Sequence, residues 1–151
     1  MVNFLEIEEP INETRIRELE SKLNLNFPTS YRNHLLKFNG GRCKPNVFNF
    51  EEEGKKEKSF IDWFLAVHDG EYDNLEDYFN TYKIEEKRMP DAVFPIAHDP
   101  GGNLICMDSN DGSIHFWDHE KEVDYNQSDD SDRTNLYFVA RNLNDFMSSL
   151  E

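Results

Sequence analysis

The fold is decided by residues 93–117, which read Val93-Phe-Pro-Ile-Ala-His-Asp-Pro-Gly-Gly-Asn-Leu-Ile-Cys-Met-Asp-Ser-Asn-Asp-Gly-Ser-Ile-His-Phe-Trp117. Three short apolar runs alternate there with two turn sequences, Asp99-Pro-Gly-Gly-Asn103 and Ser109-Asn-Asp-Gly112. Gly and Asn supply the positive φ angles that tight turns require. The stretch therefore predicts three antiparallel strands joined by two turns.

Two expectations follow for the side chains of this stretch. Gly101, Gly102 and Asn103 should act through backbone conformation, because they form the first turn. Phe116 and Trp117 should point to opposite faces of one strand, since residues alternate across a sheet, and at least one of them should lie in the core.

The segments on either side predict helices and further strands. Asn12 to Leu23 carries apolar residues at helical spacing behind an N-cap at Asn12, and a second helix begins at Pro28 and ends at Asn39-Gly40-Gly41. The remaining predictions are strands over 47–50 and 59–67 joined by a charged loop, an acidic helix over 73–87, a polar loop over 121–135, a strand over 136–139, and a final helix from Asn142 to Leu150. This order is typical of an α+β domain with helices packed on a mainly antiparallel sheet.

Length and charge limit the functions that are open to the chain. Its 151 residues fit a single domain over residues 1–151, and 12 Phe residues provide bulky material for one core. The net charge is −15, which disfavours nucleic acid and anionic membranes as ligands. The negative charge is concentrated in two segments, 69–80 and 118–132, which together carry twelve acids and one lysine.

The start of the chain and its cysteines suggest a location. The first residues contain neither a basic region nor a long apolar run, and no later window is apolar for long enough to span a bilayer. Cys43 and Cys106 lie far apart without C-x-x-C spacing, which argues against a disulfide scaffold and a zinc ribbon. We therefore expect unpaired thiols in a reducing cytoplasm.

Several residues invite a catalytic or metal-binding interpretation, but each has a simpler one. His115 and His119 are four residues apart, yet on a strand that spacing separates them by about 13 Å, too far for one metal ion. Cys106, Asp108 and His115 could share a sheet face as a nucleophile group, although a buried cysteine is commonly an inert apolar residue. The glycines after Asp99 lack the Lys-Ser/Thr of a phosphate loop. We expect no catalytic residue, no metal and no cofactor.

The acidic segments have two interpretations, both open at this point. Charged faces usually keep a protein soluble and bind nothing. Residues 69–79, however, interleave acids with aromatic side chains, which suits the capture of a basic partner. If so, the docking face should include some of Glu71, Tyr72, Asp73, Glu76, Asp77 and Tyr78, with Asp118, Glu120 and Asp124 at its rim.

Two groups of motifs resemble a known family. The first is Leu25-Asn-Phe-Pro-Thr-Ser-Tyr-Arg-Asn-His-Leu-Leu-Lys-Phe-Asn-Gly-Gly41, and the second combines Phe94-Pro-Ile-Ala-His-Asp-Pro-Gly-Gly-Asn-Leu-Ile-Cys-Met-Asp108 with Gly112-Ser-Ile-His-Phe-Trp-Asp-His-Glu120. Together they resemble the SUKH superfamily, specifically its Smi/Knr branch, which is named for a fungal regulator of cell-wall glucan synthesis. The resemblance covers about residues 10 to 150.

The resemblance implies a fold and two kinds of binding function. It implies an α+β domain with a twisted sheet and flanking helices, and neither catalytic residues nor a cofactor. Bacterial members resemble immunity proteins that neutralise toxins, many of them nucleases, whose basic sites would attract an inhibitor of charge −15. Fungal members resemble scaffolds of cell-wall signalling.

We expect a toxin-neutralising immunity protein with a basic toxin as its partner. A regulatory binding module is the alternative and an enzyme is a third possibility. The oligomeric state is not readable from the sequence.

Overall fold

The computed structural model describes residues 2–125 and 130–151. Its helices are α1 (Glu13–Leu23), α2 (Thr29–Lys37), α3 (Leu75–Phe79) and α4 (Leu143–Ser149). Its strands are β1 (Asn3–Leu5), β2 (Arg42–Lys44), β3 (Val47–Glu52), β4 (Lys55–Phe60), β5 (Trp63–Phe64), β6 (Val93–His98), β7 (Leu104–Asp108), β8 (Ile114–Trp117) and β9 (Leu136–Ala140). The chain is an α+β protein with antiparallel sheets, as predicted.

The largest sheet has the strand order β5-β6-β7-β8-β9, with every neighbouring pair antiparallel. Its three central strands come from the stretch 93–117, so the prediction of strand, turn, strand, turn, strand is confirmed. Two smaller antiparallel pairs, β1 with β2 and β3 with β4, lie outside this sheet.

The five-stranded sheet buries side chains on both faces. One face presents Ala97, Ile105 and Phe116 in register to the main core, which also contains buried residues of α1, α2 and α4. The other face carries Leu104 and Trp117, which pack in a second cluster against side chains that follow α3. Phe116 and Trp117 therefore lie on opposite faces, as predicted, and both are buried.

The first two helices confirm the sequence prediction at both ends. The side chain of Asn12 accepts a hydrogen bond from the backbone N–H of Arg15 at 2.9 Å and caps α1. The helix ends at Asn24, whose left-handed conformation stops it.

His34 of α2 packs between two aromatic side chains. Its ring centroid lies 5.4 Å from that of Phe4 in β1 and 5.3 Å from that of Phe64 in β5. Burial lowers the pKa of His34 to about 4, so this ring is neutral at physiological pH.

Three predictions of secondary structure were wrong. The charged segment 51–58 is not a loop, because β3 and β4 form a hairpin that continues through it to a turn at Glu53 and Gly54. Residues 59–67 are not one strand: the chain leaves the hairpin after Phe60 and joins the five-stranded sheet at Trp63. The helix predicted over 73–87 is α-helical only in α3 and continues as a π-helix over Asn80–Glu85.

Two regions complete the comparison with the sequence. The strands β1 and β2 were not predicted. The polar loop predicted over 121–135 begins within a short 3-10 turn, His119–Lys121, and its residues 126–129 lie outside the described part of the chain.

The turn between β6 and β7 corrects the expectation for Gly101 and Asn103. The positive φ of 89° belongs to Gly102 and not to Gly101. Asn103 acts through its side chain, because its Nδ2 donates to the Asp99 carboxylate at 3.0 Å and its Oδ1 accepts from the His119 backbone N–H at 3.0 Å. The Asp99 carboxylate also accepts from the backbone N–H groups of Gly101 and Asn103. Side-chain hydrogen bonds thus fix this turn.

Candidate partner-binding groove

An open groove of about 940 Å³ lies beside the β5 edge of the five-stranded sheet. Its walls come from the N-terminal segment, from the chain around β5, and from the loop between β5 and α3. Five carboxylates line it, those of Glu6, Glu8, Asp62, Glu71 and Asp73. Its ring-bearing lining residues are Trp63, Phe64, His68, Tyr72, Tyr78 and His98. The groove therefore combines negative charge with aromatic surface.

The loop that forms one wall is held by side-chain hydrogen bonds to its own backbone. Asn74 donates to the carbonyl oxygens of His68 and Gly70, at 2.8 and 3.0 Å, and its Oδ1 caps α3 by accepting from the Asp77 N–H. The His68 Nδ1 accepts from the Gly70 N–H at 3.0 Å, while its Nε2 lies 2.9 Å from the Tyr72 carbonyl oxygen. This frame presents Tyr72 with 77% of its surface exposed.

Asp73 ties the loop to the sheet. Its carboxylate lies 2.6 Å from the Nε2 of His98, the last residue of β6. The other ring nitrogen of His98 lies 3.0 Å from the Asp99 carbonyl oxygen, and the ring stacks nearly parallel to Tyr78, at 5.9 Å between centroids. Asp73 itself has a φ of 53°, an uncommon conformation for a residue other than glycine. The loop is therefore anchored at its far end by a carboxylate and histidine pair.

The opposite wall depends on a close backbone approach at Gly41. With a φ of 98°, Gly41 lies so near the N-terminal segment that an added Cβ would come within 2.7 Å of the Leu5 carbonyl oxygen. This approach, together with the pairing of β1 and β2, places Glu6 and Glu8 along the groove. Glu6 and Glu71 make no hydrogen bond or ion pair with any residue that the structure describes.

One arginine, Arg42, contacts two of the residues that line the groove. The guanidinium carbon of Arg42 is 5.4 Å from the centroid of the Trp63 ring, and its Nη2 is 3.7 Å from a carboxylate oxygen of Asp62. About half of the Arg42 side chain, 52%, is exposed to solvent. A cation therefore contacts this aromatic ring and this carboxylate within the protein itself.

The structure brings together four of the residues predicted for the docking face: Glu71, Tyr72, Asp73 and Tyr78 line the groove. The two others in that segment do not line it. Glu76 turns towards α1 and pairs with Lys22 at 2.6 Å, and Asp77 is exposed on α3.

The predicted rim residues lie further along the sheet. Asp118 follows Trp117, which is two strands from His98, so roughly 10 Å separate these two strands. The Asp118 carboxylate accepts from the Glu120 N–H at 2.9 Å. None of Asp118, Glu120 and Asp124 lines the groove, and their role at a rim stays a prediction.

Ten lining residues escaped the sequence analysis, and six of them have a charged or polar group in the side chain: Glu6, Glu8, Asp62, Trp63, His68 and His98. They come from three separate parts of the chain. Asp62 and Trp63 were recognisable only as part of a predicted strand. Glu6 and Glu8 reach the groove through the pairing of β1 with β2, about forty residues further along the chain, and no local pattern indicates that contact.

The residues considered for metal binding have separate partners. The Nε2 of His115 bonds the Ser113 hydroxyl at 2.8 Å, whereas the Nδ1 of His119 bonds the Oδ1 of Asn103 at 2.6 Å. Within residues 2–125 and 130–151, no group of three or more His, Cys, Asp and Glu side chains is arranged to hold a metal ion.

Cys106 on β7 and His115 on β8 are directly opposite each other on neighbouring strands, but the surroundings of the thiol oppose nucleophilic chemistry. The thiol is fully buried, and burial raises its pKa far above the ordinary value, so it stays protonated at neutral pH. Asp108, the third residue of the group, pairs instead with Arg133 at 3.1 Å. The backbone N–H groups of the turn after Asp99 are not available to a phosphate either, because the Asp99 carboxylate accepts from those of Gly101 and Asn103.

The comparison with protein families matches residues 10–149 to the SMI1 / KNR4 family (SUKH-1). The chain belongs to this family. The match covers most of the chain, including both walls of the groove except for Glu6 and Glu8. The resemblance seen in the sequence is thereby confirmed.

A relative of the chain comes from Bacillus subtilis (strain 168). It is the SPbeta prophage-derived uncharacterized protein YokK, which is 27% identical over 151 residues. The alignment covers 90% of this chain and 72% of the relative. Among the helices that the structure describes, none has both the length and the apolar character needed to cross a membrane.

Proposed function

We propose that the protein is a non-enzymatic immunity protein that binds a toxin with a basic surface and neutralises it. The observation that carries this proposal is the groove, in which five carboxylates surround aromatic side chains. Complementary charge accelerates encounter between proteins, and aromatic anchors hold the complex once it forms. Family membership supports a binding role, because proteins of this family bind partner proteins in general.

The net charge explains why a basic toxin is the partner class proposed. A toxin that acts on nucleic acid needs a positive surface to hold phosphates. A protein of charge −15 would be steered to that surface and would compete with the phosphates.

The test uses the product of the gene immediately upstream as the probe. Bacteria that express this product should stop growing, and co-expression of the chain should restore growth. A groove variant, Glu6→Gln, Glu8→Gln, Asp62→Asn and Glu71→Gln, should lose protection and bind the purified product at least about 10-fold more weakly, because it loses the charge that steers encounter.

A matched control removes the same charge elsewhere. Glu18→Gln, Glu51→Gln, Glu57→Gln and Glu85→Gln change four exposed glutamates outside the groove, and this variant should protect as well as the wild type. Equal protection by both variants would contradict the assignment of the groove. Tight binding without any protection would contradict the immunity role and favour a regulatory binding module.

A further inference from the structure

Within the protein, Arg42 makes two contacts that suit a guanidinium group, one with an aromatic ring and one with a carboxylate. Arg42 lies over the Trp63 ring while its guanidinium faces Asp62. Trp63 and Asp62 both line the groove, whereas Arg42 contacts these two residues from outside the lining and is half exposed. An aromatic ring next to a carboxylate satisfies the flat face and the N–H edge of a guanidinium group together.

We propose that the groove seats an arginine side chain presented by the partner protein, with Trp63, Tyr72 and Tyr78 as its aromatic contacts and Asp62 and Glu71 as its acceptors. This inference rests on the proposed function and names the chemistry that the groove recognises. Arg42 covers the Trp63 end of the site until the partner's arginine competes for the same ring and carboxylate.

The aromatic surface favours a flat cation over a compact one. Tyr78 is fixed by its nearly parallel stack on His98, with an interplanar angle of 7°, and the exposed Tyr72 stands on the braced loop. A guanidinium group stacks on such rings and is more weakly hydrated than the ammonium group of lysine. It therefore loses less hydration when it enters a groove lined by rings.

The positions of the carboxylates also favour arginine, whose N–H donors point in several directions within one plane. They come from opposite walls of the groove, Glu6 and Glu8 from the N-terminal segment and Glu71 from the loop before α3. Glu6 and Glu71 have no partner among the residues that the structure describes. Arginine has five N–H donors in a fixed plane and can reach two carboxylates at once, which a single ammonium group does less well.

The probe is a short blocked peptide, acetyl-Gly-Arg-Gly-amide, with lysine and citrulline counterparts. Citrulline keeps the planar shape and removes the charge. Binding is followed through the indole N–H signal of Trp63 in a two-dimensional NMR spectrum. The chain has two tryptophans, and Trp63→Phe assigns the signal. The arginine peptide should shift it saturably, the lysine peptide should bind at least about 3-fold more weakly, and the citrulline peptide should not bind.

Variants separate the groove from general charge attraction. Asp62→Asn and Glu71→Gln should each weaken binding of the arginine peptide by about 3-fold or more, while Glu18→Gln on the outside of α1 should leave it unchanged. Arg42→Gln should strengthen binding by about 2- to 5-fold, because it removes the internal competitor. The control Lys56→Gln, an exposed lysine on β4, should not strengthen it.

Three results would overturn the inference: equal binding of the arginine and citrulline peptides, an unmoved Trp63 signal, or equal losses in Glu71→Gln and Glu18→Gln. These outcomes are distinct from a failure of the proposed function. If the chain neutralises its toxin and no arginine peptide binds, the immunity role stands and arginine recognition is wrong. If the peptide binds as expected and the chain neutralises no toxin, the groove recognises arginine in another partner.

Discussion

Two regions of the molecule contain the same set of groups, an arginine over a tryptophan ring next to a carboxylate. The set around Trp117 is buried, and the set around Trp63 is open to solvent. Arg88 lies 5.1 Å from the Trp117 ring centroid and 4.6 Å from that of Tyr82, and it pairs with Glu122. Trp117 is 0% exposed. Next to the groove, Arg42 lies over the half-buried Trp63 beside Asp62. The first set closes the second face of the sheet and the other stays open to solvent.

The same difference separates the two acidic segments. Over 118–132, the described acids other than Glu120 are engaged: Arg88 pairs with Glu122, for example, and the Asp132 carboxylate accepts from the Thr134 N–H at 3.0 Å. Over 69–80, Asp73 and Glu76 are paired, whereas the side chains of Asp69, Glu71 and Asp77 have no partner among the described residues. A count of charges therefore does not reveal which carboxylates are available, because that depends on basic groups that the fold brings in from elsewhere.

The largest expected effect is the loss of stability when Arg88, the arginine of the buried set, is removed. Arg88→Ala should lower the free energy of unfolding by about 2 kcal/mol, because it removes two cation–π contacts and two ion pairs, with Glu86 and Glu122, from a largely buried position. For a chain of this size that corresponds to a fall of about 4 to 8 °C in melting temperature. Thermal unfolding followed by circular dichroism measures it.

The matched change in the open set should have little effect on stability. Arg42 is 52% exposed, whereas Arg88 is 23% exposed, so Arg42→Ala should change the free energy of unfolding by no more than about 0.5 kcal/mol. If both arginine variants lost the same stability, Arg42 would be a structural residue and not an occupant of a binding groove.

The second prediction concerns whether the groove or the acidic segment 118–132 steers the toxin. The groove variant should slow association with the upstream gene product by about 10-fold at low salt, because the lost carboxylates act on the encounter. A variant of the other segment, Glu120→Gln, Glu122→Gln, Asp124→Asn and Asp130→Asn, should slow it by less than about 3-fold. Stopped-flow mixing across ionic strength measures both rates.

Either of two results would change the comparison. A larger effect of the second segment would move the docking surface there and would support a rim that includes Glu120 and Asp124. An association rate that does not respond to salt would show that both segments merely keep the protein soluble.

How much of this could be read from the sequence depends on how local the cause is. The strands β6, β7 and β8 and the helix α1 were predictable, because turn residues and caps act within a few positions. The strand β4 was not. Five of its six side chains are exposed and four are charged, so it lacks the apolar alternation by which a strand is recognised. Its pairing with β3 fixes it instead.

The groove was half predictable for the same reason. Glu71, Tyr72, Asp73 and Tyr78 lie close together in the chain, and their acidic and aromatic pattern indicated a binding surface. The opposite wall needs the close approach at Gly41 and the pairing of β1 with β2. His98 reaches the groove through its pairing with Trp63 in the sheet and its bond with Asp73, twenty-five residues away. Contacts of this range leave no periodic pattern in the sequence.

The third prediction compares the two tryptophans directly. Trp63 is half-buried at the groove and Trp117 is fully buried, with its Nε1 donating to the Arg88 carbonyl oxygen at 3.1 Å. Acrylamide should therefore quench the fluorescence of Trp63 and leave that of Trp117 nearly unchanged. In Trp63→Phe the remaining emission should resist quenching. Strong quenching of that variant would show that the second face of the sheet is open and that the two sets do not differ.

The smallest expected effect concerns Lys121, a base of the second acidic segment that reaches across to the β3 and β4 hairpin. Its Nζ bonds the Glu52 carboxylate at 3.1 Å, and this bond lowers the pKa of Glu52 below its ordinary value. Lys121→Met should raise that pKa, whereas Lys56→Met should not, because Lys56 makes no ion pair among the described residues. NMR titration of the Glu52 side chain measures the shift.

The sign of the linked stability change follows from the direction of that pKa shift. A carboxylate with a lowered pKa in the folded state contributes stability above its unfolded pKa and loses it as the pH falls through the folded value. The wild type should therefore lose slightly more stability than Lys121→Met between about pH 5 and pH 3. The difference should be small, since Lys121 and Glu52 meet at the surface, where water and salt screen their attraction. If Lys121→Met left the Glu52 titration unchanged, the second acidic segment would keep its own lysine free, and its carboxylates would be less compensated than the structure indicates.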